Sequence, residues 1–255
     1  MKPSPDFDPF ISLIQQLRND CPWDRKQTHH SIKDNVIEEA YEVVDAIDSG
    51  DMEELKKELG DLLLQVVFHS QMASETDSFS IHDVLYSISE KLIRRHPHVF
   101  GDKSGDSEEE VAANWESIKQ TEGKESVMDG LPAQLPALIK AYRMQQKASN
   151  VGFDWNSWEP AWTKLDEELL EFKQALETDS STHQREEFGD LLFSLVNVGR
   201  LLNLKAEDSL RSANRKFERR FRYIEKRLSE KKQRLEDTSL EEMDQLWDEA
   251  KENDR

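Results

Sequence analysis

The sequence predicts an all-α protein built from two tandem, homologous helical-bundle domains, and three observations carry that reading. Leu, Ile, Val and Phe recur at spacings of three and four rather than two, which is the period of a helix face. Charged residues make up 34% of the chain, and on that period they read as helix surfaces rather than as disorder. Two acidic motifs return at one fixed offset. EEAYE at 38–42 recurs as EELLE at 167–171, and ELGDLL at 58–63 recurs as EFGDLL at 187–192, both 129 residues further on. A shared offset longer than any solenoid repeat marks a duplicated domain.

The elements follow in order. Helical periodicity is clearest over roughly 8–18, 31–48, 52–74, 81–95 and 108–120, then over roughly 134–148, 158–177, 183–203, 206–232 and 239–252. Gly50, Pro97, Gly101 and Gly105 break the first series, and Gly152, Pro160 and the DSST segment break the second. Between them lies QTEGKESVMDGLPAQLP, rich in Gly, Pro and polar residues. The expected domains are therefore 1–121 and 134–255, joined by a linker at 122–133.

Composition excludes several functions. With 53 acidic and 34 basic residues the formal charge is −19, which repels nucleic-acid polymers and anionic membranes in the absence of a long basic patch. The longest apolar stretch, LLLQVVF, is too short to span a bilayer, and MKPSPDFDPF lacks the basic start and apolar run of a signal peptide. The single cysteine, Cys21, has no partner for an internal disulfide or a CxxC pair. A soluble, cytoplasmic protein is the expectation.

The chemistry is concentrated in the repeated motifs. Glu39 and Glu42 are three apart and share a helix face, as do Glu58 and Asp61. Positions 39 and 61 are equidistant from Gly50, and so are 42 and 58, so an antiparallel hairpin folded there sets Glu39 beside Asp61 and Glu42 beside Glu58. Glu168, Glu171, Glu187 and Asp190 are arranged in the same way about Asp179. Four converging carboxylates repel unless a cation sits among them, and hard oxygen ligands suit Mg²⁺, with Mn²⁺ as a substitute. A di-iron bundle would need Glu-x-x-His motifs, and here the fourth position is Glu or Asp. Mg²⁺ held by carboxylates alone implies a phosphorylated substrate to complete its shell. Glu38 and Glu167 point away from the ligand face and are candidates to orient or deprotonate a water.

A triphosphate requires further cations. Lys91, Arg94 and Arg95 end one helix before Pro97, and Lys216, Arg219 and Arg220 lie in NRKFERRF. Each half then closes on Trp, three residues and Lys: Trp115 with Lys119, and Trp247 with Lys251. Such a pair offers an aromatic plane for a base and an ammonium for a phosphate on one helix face. His96 and His98 lack a third ligand for zinc, and the sequence holds neither a Walker phosphate loop, a dinucleotide fingerprint nor a nucleophile elbow.

With these residues in place the chain resembles the MazG family of nucleoside triphosphate pyrophosphohydrolases, in the all-α NTP pyrophosphatase superfamily. The stretches that carry the resemblance are CPWDRKQTHHSI, EEAYEVVDAI, ELGDLLLQVVFHSQMA, RRHPHVFGD, NVGFDW, EFGDLLFSLVN and KFERRFR, spread over nearly the whole chain. The resemblance implies Mg²⁺-dependent hydrolysis of (d)NTPs to the monophosphate and pyrophosphate, broad base tolerance, a nucleotide-pool housekeeping or stress role, and a homodimer. It also implies metal ligands at both sets of four carboxylates. The second domain is the expected active one, with Lys216, Arg220, Trp247 and Lys251 contacting nucleotide, and Lys91, Arg95, Trp115 and Lys119 are their first-domain counterparts. The loop ETDSSTHQRE departs from the family pattern in lacking a lysine just ahead of its Glu-x-x-Asp. Two rivals remain at this stage, a di-metal oxidoreductase and a non-catalytic acidic scaffold.

Overall fold

The computed structural model describes residues 4–101, 107, 126–178 and 180–253. Among them the regular structure is entirely helical. The chain divides into two compact units, Met1–Lys119 and Gln120–Arg255. The helix expected over 108–120, the first four residues of the 122–133 linker and the pivot Asp179 lie outside the described residues.

The first unit contains α1 (Phe7–Asp20), α2 (Lys33–Ser49), α3 (Met52–Ser74), α4 (Ile81–Arg95) and a single turn, α5 (Pro97–Phe100). The turn between α2 and α3 is set by two residues. Gly50 caps α2 at φ +73°, a left-handed conformation that costs a residue with a Cβ. Asp51 then accepts hydrogen bonds from the Glu53 and Glu54 amides at 3.0 Å and starts α3. The reversal is thus two residues long, and α2 and α3 pack along their length as a hairpin. Ile14, Ile32, Val67, Phe68, Met72 and Ile81 form the core beneath it. The Arg18 guanidinium lies over the Phe68 ring and makes a two-point ion pair with Glu75, at 2.8 and 2.5 Å.

The second unit contains α6 (Ala137–Ser149), α7 (Trp158–Ala175), α8 (Ser181–Leu201), α9 (Ala206–Glu230) and α10 (Leu240–Asn253). Here α7 and α8 form the matching hairpin, α6 packs on α8, and α10 packs on α9 through Ile224, Leu228 and Leu246. The start of α8 lies two residues earlier than its periodicity suggests, because the Ser180 side chain accepts from the His183 amide. Residues 126–130 lie against α6, where the buried Lys147 ammonium donates to the Val127 and Asp129 carbonyls at 2.9 and 3.1 Å.

Among the described residues, both hairpins leave apolar side chains open to solvent. Leu59, Leu63 and Val66 on α3, Leu170 on α7, and Phe188 and Leu195 on α8 are all more than a third exposed. No described helix is long and apolar enough to cross a membrane.

Candidate functional site

In the first hairpin α2 supplies Glu39 and Glu42, and α3 supplies Glu58 and Asp61. Carboxylate oxygens of Glu39, Glu58 and Asp61 all lie within 4.8 Å of one another. Partial desolvation, then the Asp61 and Glu42 charges, hold the Glu39 carboxyl above the usual carboxylate range. Glu58 is raised by desolvation, then by Glu54 and Glu42. Glu42 is therefore electrostatically part of the group although it is not among the three closest. Gln65, one turn beyond Asp61, donates to Glu39 at 3.4 Å. One turn further, His69 stacks on His29 with their Nδ1 atoms 2.8 Å apart.

The second hairpin repeats the arrangement with a different trio, Glu168, Glu171 and Glu187, again within 4.8 Å. Asp190 joins Glu168 in the wall of a cavity. Desolvation and the Glu168 charge raise the Glu171 carboxyl. A lysine that the sequence reading did not single out also enters this site. The Lys164 ammonium bridges Glu167 at 2.7 Å and Glu168 at 2.9 Å, and the two carboxylates hold it well above the ordinary lysine range. Lys164 is four residues before Glu168, so helix spacing alone would have placed the pair on one face. Its counterpart 129 residues earlier is Asn35, which carries no charge. His183, four before Glu187, lies 3.4 Å from that carboxylate in the segment where the lysine of the family pattern is missing.

The cavity beside the second group has a volume of about 680 Å³. Met144, Gln145 and Ala148 of α6, the loop 152–155, and Phe193, Ser194 and Asn197 of α8 line it. Loop and helix are clasped by Arg200, which makes a two-point ion pair with Asp154 at 2.9 and 2.5 Å. Sequence reasoning missed the cavity because its walls come from segments nearly fifty positions apart. In the first unit the positions matching Ser194 and Val198 are held by the bulkier polar residues Gln65 and His69.

The remaining expected residues fall elsewhere. Glu38 is exposed on α2, while Glu167 is engaged by Lys164. Lys91 and Arg95 are on α4. On α9 and α10 the Arg220 guanidinium lies 5.6 Å over the Trp247 ring, and Phe217 packs on that ring at 5.1 Å. Lys216 is exposed one turn before Arg220, and Lys251 pairs with Asp248 at 2.7 Å. None of Lys216, Arg220, Trp247 and Lys251 lines the cavity. Trp115 and Lys119 lie outside the described residues. The His96 and His98 rings are 5.6 Å apart, and His96 Nδ1 is engaged with the Leu92 carbonyl.

Three proteins with curated names resemble the chain along most of its length. A protein of Thermotoga maritima named nucleoside triphosphate pyrophosphohydrolase/pyrophosphatase MazG is 46% identical over 253 residues, covering 97% of this chain and 96% of the relative. A nucleoside triphosphate pyrophosphohydrolase of Escherichia coli is 43% identical over 256 residues, covering 96% and 97%. YabN of Bacillus subtilis is 48% identical over 256 residues, covering 98% of this chain and 52% of the longer relative. The profile of the MazG nucleotide pyrophosphohydrolase domain matches residues 27–100 and 159–224, one segment for each carboxylate hairpin. Matched in both halves by this profile and along nearly its full length by these relatives, the chain belongs to the MazG nucleotide pyrophosphohydrolase family.

Proposed function

We propose that the protein hydrolyses nucleoside and deoxynucleoside triphosphates to the monophosphate and pyrophosphate, with its second unit as the working site. The observation that carries this reading is the carboxylate hairpin beside the 680 Å³ cavity, a size that suits a small-molecule ligand. The names of the relatives support the reaction class.

The residues fit a divalent cation. Hard oxygens converge within 4.8 Å, and Glu39, Glu58 and Glu171 hold protons more tightly than free carboxylates because desolvation, and after it the neighbouring carboxylates, oppose their ionisation. Glu168, Glu171, Glu187 and Asp190 would hold Mg²⁺, or Mn²⁺ in its place, and Glu39, Glu42, Glu58 and Asp61 would do so in the first unit. Bound there, the ion supplies positive charge to the triphosphate and Lewis acidity toward a water. Glu167 would accept a proton at its carboxylate from the water that attacks the α-phosphorus as pyrophosphate leaves, and Glu38 is its counterpart in the first unit. Lys164, already poised on Glu167 and Glu168, orients both carboxylates and offers its ammonium to the phosphates. Lys216, Arg220 and Lys251 add cationic contacts, with Trp247 beside them; Lys91, Arg95, Trp115 and Lys119 are the first-unit equivalents. The exposed apolar faces of both hairpins support a homodimer. Broad base tolerance, a housekeeping or stress role and a cytoplasmic location complete the proposal.

The test is incubation of the pure protein with each (d)NTP, with and without Mg²⁺, and separation of products by anion exchange. Monophosphate and pyrophosphate formed only with Mg²⁺ are the expected products, whereas diphosphate and phosphate would overturn the cleavage position. Glu171→Ala and Asp190→Ala should each lower kcat by about 100-fold or more. Full activity in both variants would move the reaction to the first hairpin.

A further inference from the structure

The chain that leads into α6 is held from that helix by a buried charge. Lys147 is 6% exposed, and its ammonium donates to the Val127 carbonyl at 2.9 Å and to the Asp129 carbonyl at 3.1 Å. Those two carbonyls flank Met128, so the backbone on both sides of that residue is fixed in orientation. The turn is also closed locally. The Ser126 amide donates to the Asp129 carboxylate at 2.9 Å, the Met128 amide donates to the Ser126 hydroxyl at 3.1 Å, and Gly130 continues the chain at φ +79°. Met128 lines the cavity, and among the described residues it is the only part of the wall that precedes α6.

A buried ammonium is costly unless it is hydrogen-bonded, and an apolar side chain of the same length would pack here without that cost. What the lysine adds is a grip on chain outside the helix. The first unit supplies an independent parallel. Arg18 stands 129 residues before Lys147, is 8% exposed, and donates to the carbonyls of Asp24 and Gln27 in the loop after its own helix. Both units thus bury a cation at the same position of their first helix to fasten a non-helical segment, and in the second unit that segment carries a residue of the cavity wall.

We infer that Lys147 is a positioning residue of the second unit: it straps segment 126–130 against α6 and thereby sets Met128 as one wall of the cavity. The inference rests on the function proposed above, in which that cavity adjoins the reacting groups. The Met128 thioether neither moves a proton nor suits a hard cation, so its contact with an occupant contributes alike before and during the reaction. Such uniform binding shows in KM and leaves kcat nearly alone, whereas loss of folded protein lowers kcat at constant KM.

The experiment uses the full chain with Mg²⁺ and a triphosphate that the wild type hydrolyses. Lys147→Met, which keeps an unbranched stem and removes the donors, should raise KM about tenfold with kcat within about twofold. Met128→Ala should raise KM about fivefold. The double variant should be no worse than Lys147→Met alone, because both changes act on one wall. Additive effects in the double variant, or an unchanged KM in either single variant, overturn the inference; Met128→Ala, on an exposed turn, decides the matter if Lys147→Met fails to fold. Hydrogen exchange needs no substrate. Amides 127–130 should exchange faster in Lys147→Met while those of α8 keep their wild-type rates, and equal rates over 127–130 overturn the strap. A wild type that hydrolyses no triphosphate overturns the function proposed above, and the exchange rates then decide for or against the strap.

Discussion

Arg18 and Glu75 show how much a single side-chain pair can say about the conditions under which the first unit is stable. Arg18 is 8% exposed, and its hydrogen bonds hold the Glu75 carboxyl below its ordinary value of 4.5. A carboxylate depressed on folding contributes stability that is present above its unfolded pKa and is lost as pH falls through the folded one. Glu75→Gln should therefore destabilise the protein near neutral pH by about 1 kcal/mol, a figure that allows for solvent reaching Glu75. The deficit relative to wild type should shrink in urea melts as pH falls below 4.5 and through the lowered folded value; a deficit constant with pH would mean that packing, not charge, is lost. The candidate ligands were legible at this scale because helix spacing fixes which residues share a face. Lys164 was equally legible by spacing but looked like an ordinary surface ion pair. The hydrogen bond from Gln145 to the Phe193 carbonyl was not legible, since the two residues meet only once the chain has folded.

The elements were read well where periodicity was strong, as in α3, whose span agrees with the expectation. The single turn at Pro97–Phe100 was missed, because a proline that ends one helix can occupy the first turn of the next. Asp51, Ser180 and the Ser80 capping box with Asp83 set helix starts that apolar spacing cannot locate. Gly50 is the decisive turn residue. Its φ of +73° suits glycine, and a Cβ placed there meets nothing within 4 Å, so Gly50→Ala carries a conformational cost and no clash. The expected loss is about 1 kcal/mol in urea unfolding. Gly189, inside α8 and also free of neighbours within 4 Å, should respond with the opposite sign, since alanine is the better helix former. Equal effects at the two sites would remove the left-handed turn as the reason for glycine at position 50.

For the molecule as a whole, the duplicated architecture was legible from two motifs at one offset, whereas the cavity was not. Its walls are brought together by α6 packing on α8, a tertiary contact that leaves no local pattern in the sequence. Apolar residues of both hairpins are more than a third exposed, and apolar faces of this kind suit a partner surface. Sedimentation should accordingly report twice the mass of one chain, and Leu195→Glu, which puts a charge on an exposed apolar face, should shift that equilibrium toward the monomer. A wild-type chain that sediments as a monomer at micromolar concentration would leave those faces unexplained.

The Lys164 and Asn35 difference has a practical consequence. Each polypeptide delivers, in strict one-to-one stoichiometry, a carboxylate hairpin whose Glu168 is paired with Lys164 and a matched hairpin with the uncharged Asn35 in the lysine's place. The protein is thus its own paired control, with temperature, buffer and concentration identical for both copies. Exchanging the two residues, Lys164→Asn together with Asn35→Lys, transplants that one charge between sites while leaving the composition of the chain untouched.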